Sequence, residues 1–475
     1  MPYGFIDNHN LSSAAANLII YNFRNSASVF VMHILFVVPG WPQGSFWDVL
    51  FFKFPPLAMA TLAGLTPDEH TISYVDESIA PLDESITPDL VVISAMTPLA
   101  PRGYEIAAIF RARGIQVIMG GIHVSNMPDE ATRHVDSVVI GEADEIWGNI
   151  LEDAENNCLK PTYRQDEYTR MEIIPTANRT IYPKKKYFFE NMIQTTRGCP
   201  YKCEFCTVTS FFGGTYRPRP VARVIDEVRS LSRQAGYIFF VDDNLVAHKA
   251  HTNALLDELK NYRLRWVCQA PITIAKNADM LRKMMEAGCH GIFIGFESLN
   301  SKNIEVMGKK QNTVSFYEEA IRRIHDMGIG VYGSFVFGYD HDTPAVFDQY
   351  LEFANRTGID GAFLPVLTPF PGTRIHTRLA EEGRILSQDW RLYDMATVVY
   401  QPKGMSVRQL QEGFWQVNKG FYSLSSSLRR LFRPSSLKRR SNIIFMPMNF
   451  GHVPAIRKAH RRFRQLSAKL PCGPL

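Results

Sequence analysis

The stretch Met192-Ile-Gln-Thr-Thr-Arg197-Gly-Cys199-Pro-Tyr-Lys-Cys203-Glu-Phe205-Cys206-Thr207 decides how the chain is read. Its first five residues predict a short strand, and the three cysteines follow at C-x3-C-x2-C spacing. Thiolates this close on one loop suit a 4Fe-4S cubane, in which three irons are ligated and the fourth stays open. A fully ligated cluster passes electrons on, whereas an open iron can bind and reduce a substrate. Zinc is the weaker reading, because zinc sites pair C-x2-C with a second Cys or His pair. Cys268 and Cys289 are isolated, and no such pair stands nearby. A disulfide framework is disfavoured too: seven cysteines, an odd number, are few for 475 residues.

Working outward from the loop, the downstream chain alternates strands and helices. Strands are predicted at 192–196, 237–242, 265–270, 291–296, 330–337 and 361–367, with helices between them. Six such units predict a partial (β/α)6 barrel, with chemistry at the carboxyl ends of its strands. The second strand ends in Asp242-Asp243-Asn244 and the fourth in Gly295-Phe-Glu297-Ser298. Acidic and amide groups there can bond an ammonium or ribose hydroxyls. Capping the next helix is an equal alternative for Asp243 and Asn244. Leu367-Thr-Pro-Phe-Pro-Gly-Thr-Arg374 reads first as a turn device and second as a border of the substrate site.

Upstream, residues 33–150 carry five apolar strands alternating with helices. This predicts a Rossmann-like, doubly wound parallel sheet with ligands at its carboxyl ends. Those ends hold Ser94-Ala-Met-Thr97, Gly120-Gly121-Ile-His123-Val-Ser125 and Gly141-Glu142-Ala-Asp144. Small residues there let a large flat ligand approach the backbone. No G-x-G-x-x-G follows the first strand, so a dinucleotide fold is not supported. The expected organisation is α/β: a lead (1–31), the Rossmann-like domain (32–155), a polar connector (156–190), the barrel (191–385), a mainly helical subdomain (386–424) and a basic tail (425–475).

Charge is uneven along the chain. The net charge is +5, yet Ser425–Leu475 holds twelve Lys/Arg and no Asp/Glu, so the rest carries −7. The tail is read as a basic segment packing on the acidic body, ahead of contact with an anionic membrane face and well ahead of nucleic acid. No run of eighteen apolar residues suggests a transmembrane helix, and the Asn- and Ser-rich lead lacks the plan of a signal peptide. Unpaired cysteines and an oxygen-sensitive cluster fit the cytoplasm.

The cysteine spacing, with Phe205 before the last cysteine, resembles the signature of the radical S-adenosylmethionine superfamily. The preceding domain, with Phe54-Pro-Pro-Leu57, Gly-Gly-Ile-His and Gly-Glu-Ala-Asp in order, resembles the cobalamin-binding domain of its cobalamin-dependent branch, and the similarity to that branch as a whole runs from about residue 33 to about 405. The resemblance implies three cofactors: a 4Fe-4S cluster on Cys199, Cys203 and Cys206, S-adenosylmethionine at its open iron, and cobalamin. It places Phe205, Asp242, Asp243, Asn244, Glu297 and Ser298 near S-adenosylmethionine, and Ser94, Thr97, Gly120, Gly121 and Glu142 near cobalamin. Val241-Asp-Asp-Asn replaces the Gly-Gly-Glu type of motif that often ends the second strand. The Asp-x-His-x-x-Gly motif that supplies a lower cobalt ligand in many cobalamin domains is absent, and His123 reads first as a loop histidine.

The activity implied is methyl transfer to an unactivated carbon, by way of a 5′-deoxyadenosyl radical and methylcobalamin. An oxidative cyclisation or rearrangement with the same cofactors is the alternative, as in the anaerobic cyclase of bacteriochlorophyll synthesis. A non-catalytic iron–sulfur or cobalamin-binding protein is the minor one. Relatives of this kind act on hopanoid lipids, tetrapyrroles, peptides and antibiotic precursors. The apolar-studded tail favours a lipid-like or other hydrophobic substrate. An external electron donor of flavodoxin or ferredoxin type is implied. No sequence pattern names a catalytic acid, base or substrate residue.

Overall fold

The computed structural model describes residues 31–49, 53–231, 236–432 and 441–467. The expected lead (residues 1–31) lies almost wholly outside them. Six parallel strands form the first sheet: β1 (His33–Val38), β2 (Thr71–Asp76), β3 (Leu90–Ser94), β4 (Gln116–Gly120), β5 (Ser137–Ile140) and β6 (Thr162–Arg164). Their spatial order is β2-β1-β3-β4-β5-β6. Ile34, Leu35, Phe36 and Val37 are all fully buried, as a strand covered on both faces requires. Two apolar cores, one on each face, account for the unbroken run. β6 lies within the stretch expected to be connector.

The second sheet is built from β7 (Asn191–Ile193), β10 (Ile238–Phe240), β11 (Trp266–Gln269), β12 (Cys289–Glu297), β13 (Gly330–Phe335) and β14 (Gly361–Phe363). These pair in parallel in the order β14-β13-β12-β11-β10-β7, an open barrel. Between β7 and β10, a small antiparallel pair, β8 (Thr196–Arg197) and β9 (Arg217–Pro218), ties the two ends of the cysteine segment together. Helices Val221–Leu231, Lys249–Leu259, Ala278–Glu286, Tyr317–Asp326 and Val346–Thr357 are interleaved with the strands. Their buried residues recur three or four apart, as in Tyr317, Ala320, Ile321 and Ile324, so each lays one apolar stripe on the sheet.

The C-terminal region closes the barrel from below. Helix Val407–Phe421 starts at a capping box, Ser406 with Gln409. Helices Leu424–Leu431 and Asn442–Ser467 follow. Arg430 is fully buried and donates to the carbonyls of Ile359 and Phe421 and to Asn449 Oδ1 at 2.8–2.9 Å. On the last helix, Ile444, Phe445, Ala455, Ile456 and Ala459 are buried, while Arg457, Lys458, Arg461 and Arg464 are exposed. The apolar face that a membrane-lying helix needs is therefore occupied by the barrel. No helix among the described residues is long and apolar enough to cross a membrane.

Candidate active site at the mouth of the barrel

The cysteine loop is pinned at its start by the next strand. Asp242, fully buried after β10, accepts from the backbone N–H and hydroxyl of Thr195, both at 2.9 Å, and from the hydroxyl of Thr196 at 2.7 Å. Burial pushes its carboxyl up to about 6, against the pull of these donors. Gly198 then turns the chain with φ +85°, and a Cβ there would stand 2.3 Å from the Thr215 carbonyl oxygen. Its N–H donates to Asp243 Oδ2 at 3.2 Å. Farther on, the loop is held by the segment after β14: Ile375 N–H donates to the Glu204 carbonyl at 3.1 Å and Arg378 to the Glu204 carboxylate at 3.1 Å. Leu367-Thr-Pro-Phe-Pro-Gly-Thr-Arg374 thus borders the site.

Cys199, Cys203 and Cys206 line one cavity of about 320 Å³ at the carboxyl ends of the strands. Burial raises all three thiols, Cys206 to about 12. Buried thiols of this kind become ligands when a metal takes the place of the proton. Among the described residues, no three His, Cys, Asp or Glu side chains gather closely enough for a single metal ion. A cubane is gripped at three different irons, so its ligands stand farther apart than those of one ion. Three thiols on one loop that line one cavity fit a 4Fe-4S cluster.

A buried ion pair beside the thiols was not foreseen from the sequence. Lys309 Nζ is bonded to Glu297 Oε1, with side chains 11% and 6% exposed. Burial pulls the ammonium down, but Glu297 and the Cys203 thiol more than offset it, so its pKa rises. Glu297 adopts φ +67°, left-handed for a non-glycine residue, where the β12–β13 register shifts. Gly295 makes room for the pair: a Cβ there would stand 2.2 Å from Glu297 Oε1 and 2.6 Å from Lys309 Nζ. The ammonium also lies 5.8 Å from the centroid of the Phe205 ring. Asn244 Nδ2 faces Cys199 Sγ at 3.8 Å. Asn244 Oδ1 and Gln311 Oε1 are buried in this cavity without a hydrogen-bond partner. Two unmet acceptors fit a ligand rich in donors, such as the ammonium and ribose hydroxyls of S-adenosylmethionine.

A second cavity, about 240 Å³, opens at the carboxyl ends of β3, β4 and β5. Ser94, Gly120, Gly121 and Glu142 line it, with Leu57, Leu62 and Val139 supplying apolar walls. Gly121 has φ +105°, and a Cβ would stand 2.6 Å from the Ala95 carbonyl oxygen. The bare backbone at Gly120 and Gly121 lets a large flat ligand such as the corrin ring of cobalamin approach closely. Phe211 and Phe212, on the short helix Thr207–Phe212 after Cys206, face the same slot. A salt-bridged seam ties the wall of this slot to the start of the cysteine loop. Arg197, two residues before Cys199, is bonded to Glu142 at 2.6 Å and to both oxygens of Asp144. Arg217 reaches the other side of Glu142 at 2.9 Å.

Not every expected residue reaches a cavity. Phe205, Asp243, Asn244 and Glu297 line the cysteine cavity. Asp242 does not; it is turned into the protein as the pin of the loop. Ser298 accepts from the Asn300 N–H at 3.1 Å and is 4% exposed. Thr97 is buried in a 3-10 turn after β3, outside the slot. Glu142 lines the slot, but its oxygens are taken by the two arginines and the Thr169 N–H. His123 is fully buried, bonds Glu130 at 3.3 Å and does not line the slot.

Comparison with known proteins agrees with this geometry. The B12 binding domain model matches residues 48–151 and the Radical SAM superfamily model residues 193–354. The chain is 28% identical to the bacteriochlorophyllide d C-8(2)-methyltransferase of Chlorobaculum tepidum, over 88% of this chain and 96% of that one. It is 27% identical to the hopanoid C-2 methylase of Rhodopseudomonas palustris, over 72% and 67%. Its fold matches the radical S-adenosylmethionine methyltransferase TsrM of Kitasatospora setae, solved with cobalamin and a 4Fe-4S cluster, at a TM-score of 0.63 and 17% identity over 91% of this chain and 100% of that one. With a cubane-spaced cysteine loop on an open barrel, joined by a buried arginine to a cobalamin-type slot, the chain belongs to the cobalamin-dependent radical S-adenosylmethionine enzymes.

Proposed function

We propose that this enzyme methylates an unactivated carbon of a hydrophobic or natural-product substrate. The observation that carries the reading is the seam itself: one guanidinium, two residues from a cluster cysteine, is clasped by two carboxylates on the wall of the other slot. When bound, the cofactors supply hydrogen abstraction on one side of such a seam and methyl donation on the other. The chain's own part is to bind, orient and keep water out. Cys199, Cys203 and Cys206 hold the cluster, and Asn244 and Gln311 offer acceptors to S-adenosylmethionine. Val336, Phe363, Leu367 and Phe370 give the cysteine cavity apolar walls. Such walls suit a hydrophobic acceptor and protect reactive species from water. No strong acid or base pair is required, because positioning is the larger contribution.

The hydrophobic substrate class is further supported by two relatives, whose names give bacteriochlorophyllide and a hopanoid as substrates. An external one-electron donor of flavodoxin or ferredoxin type completes the system. The test is anaerobic reconstitution with cobalamin, S-adenosylmethionine and a candidate acceptor, followed by mass analysis. Methylated product should appear with both S-adenosylhomocysteine and 5′-deoxyadenosine. Formation of 5′-deoxyadenosine with no added methyl in the product rejects the proposal and favours a cyclisation or rearrangement.

A further inference from the structure

We infer that the lower half of the barrel lumen is a binding chamber for a hydrocarbon portion of the substrate, an alkyl or isoprenoid chain, with the C-terminal helix as its floor. This rests on the reading of the mouth as a methylation site, and deepens it. Below the cysteine cavity lies a second volume of about 320 Å³, walled by inward-facing residues of the same strands, among them Val267, Gly291 and Tyr332. The two volumes share Gln269, Phe293 and Phe363 as a common wall. Along β12, Gly291 faces the lower chamber, Phe293 the divide and Gly295 the cysteine cavity, a climb of about 13 Å at strand spacing.

The floor is built for closeness. Phe445 enters beneath three glycines: a Cβ on Gly330 would stand 2.4 Å from its ring, one on Gly291 3.2 Å and one on Gly361 3.3 Å. Met448 and His452, one and two turns farther along the helix, complete the floor. His452 Nδ1–H donates to the Met448 carbonyl at 2.7 Å, so that polar group is engaged by the protein itself. Packed cores leave few voids larger than a water molecule, and water gains little in an apolar space with few partners. A chamber this size, apolar and stacked under the reactive cavity, matches an apolar chain in chemistry and in place. Together the two volumes fall within the range of small-molecule sites, ~300–1,000 Å³.

The experiment uses the full chain with cluster and cobalamin, probed with the fluorescent chain cis-parinaric acid and displaced by 1-alkanols from octanol to hexadecanol. The wild type should bind the probe and show an optimum chain length. Val267→Trp, which fills the chamber, should weaken probe binding by roughly tenfold or more, with iron content unchanged. Met448→Ala, which deepens the floor, should move the optimum to longer alkanols. Wild-type probe affinity in Val267→Trp overturns the inference. Should Val267→Trp fail to assemble its cluster, Met448→Ala decides, and an unchanged optimum overturns it equally. Probe binding needs no turnover, so the two readings fail separately. Chain-length-dependent binding without methylated product counts against methylation alone. Methylated product without such binding counts against the chamber alone.

Discussion

At the residue scale, the environment of the thiolates is set by two side chains that are not ligands. Lys309 is a buried cation beside the thiols, and Glu297 is its partner. Removing one member of a buried pair leaves the other charge uncompensated, which costs about 3–5 kcal/mol. Lys309→Met should therefore lower stability by that order in chemical denaturation of the cluster-loaded protein. The double variant Lys309→Met/Glu297→Gln should cost clearly less than the sum of the single changes; simple additivity would mean the two do not interact. Asn244 acts differently, through an N–H directed at Cys199 Sγ. Hydrogen bonds to cluster sulfurs stabilise the reduced, more negative state. Asn244→Leu should thus shift the cluster's midpoint potential downward in a titration followed by electron paramagnetic resonance, and an unchanged potential would show that the contact carries no weight. The cysteines were legible because ligand spacing is a local property of the chain. Lys309 was not: one lysine among 52 Lys/Arg becomes special only after β12 bulges and turns Glu297 toward it. Asp242 was misplaced for the converse reason. A carboxylate at a strand end looks the same whether it faces a ligand or pins a neighbouring loop.

At the scale of elements, strands and helices were legible because both faces of each sheet are covered, which leaves continuous apolar runs with clear breaks. The C-terminal stretch shows where such patterning stops. Its twelve basic residues announced a charged segment, but not the destination of the apolar residues between them. Phe445 finds its place only because β12, β13 and β14 each present a glycine to it, and those glycines are about 80–150 residues earlier. His452 on this helix offers a measurable consequence. Burial lowers its pKa to about 4, against an ordinary value of 6.5, and its ring stacks on Tyr422 at 4.4 Å. Above pH 6.5 the ring is neutral in folded and unfolded chains alike, and it contributes nothing to pH dependence. Between pH 6.5 and about 4 the unfolded chain takes up a proton that the folded one refuses, so stability falls as pH falls. The full gap is worth about 3 kcal/mol. His452→Gln should flatten the stability profile in that window while leaving the region above pH 7 parallel to wild type. An equally steep acid loss in the variant would assign it to other groups.

At the scale of the whole molecule, the two domains were legible one by one, but the contact that joins them was not. Glu142 and Asp144 were read in the company of a cofactor, and Arg197 only as the residue before a glycine. In the folded chain they are one latch. Arg197 is 10% exposed, forked onto Asp144, bonded to Glu142 and steadied by Gln194 at 2.9 Å. The planar, bidentate fork is what lets a single side chain fix the distance and the angle between two walls. Arg197→Met leaves Asp144 with the Thr169 hydroxyl at 3.3 Å and no cation among the described residues bonded to it, while Glu142 keeps Arg217. The loss should be about 3–5 kcal/mol, and its form should be distinctive. Cores on either side of the seam remain intact, so thermal unfolding should separate into two transitions where the wild type shows coupled melting. Trypsin should also cut faster in the connector at Lys184, Lys185 and Lys186, and cobalamin should be lost more readily on gel filtration while iron content holds. Arg197→Lys should rescue little, since an ammonium is a point charge and cannot span both carboxylates. If Arg197→Met melts in one transition and keeps cobalamin as well as wild type does, other contacts, the Arg217–Glu142 pair among them, hold the two domains, and the Arg197 guanidinium is not what sets one cofactor against the other.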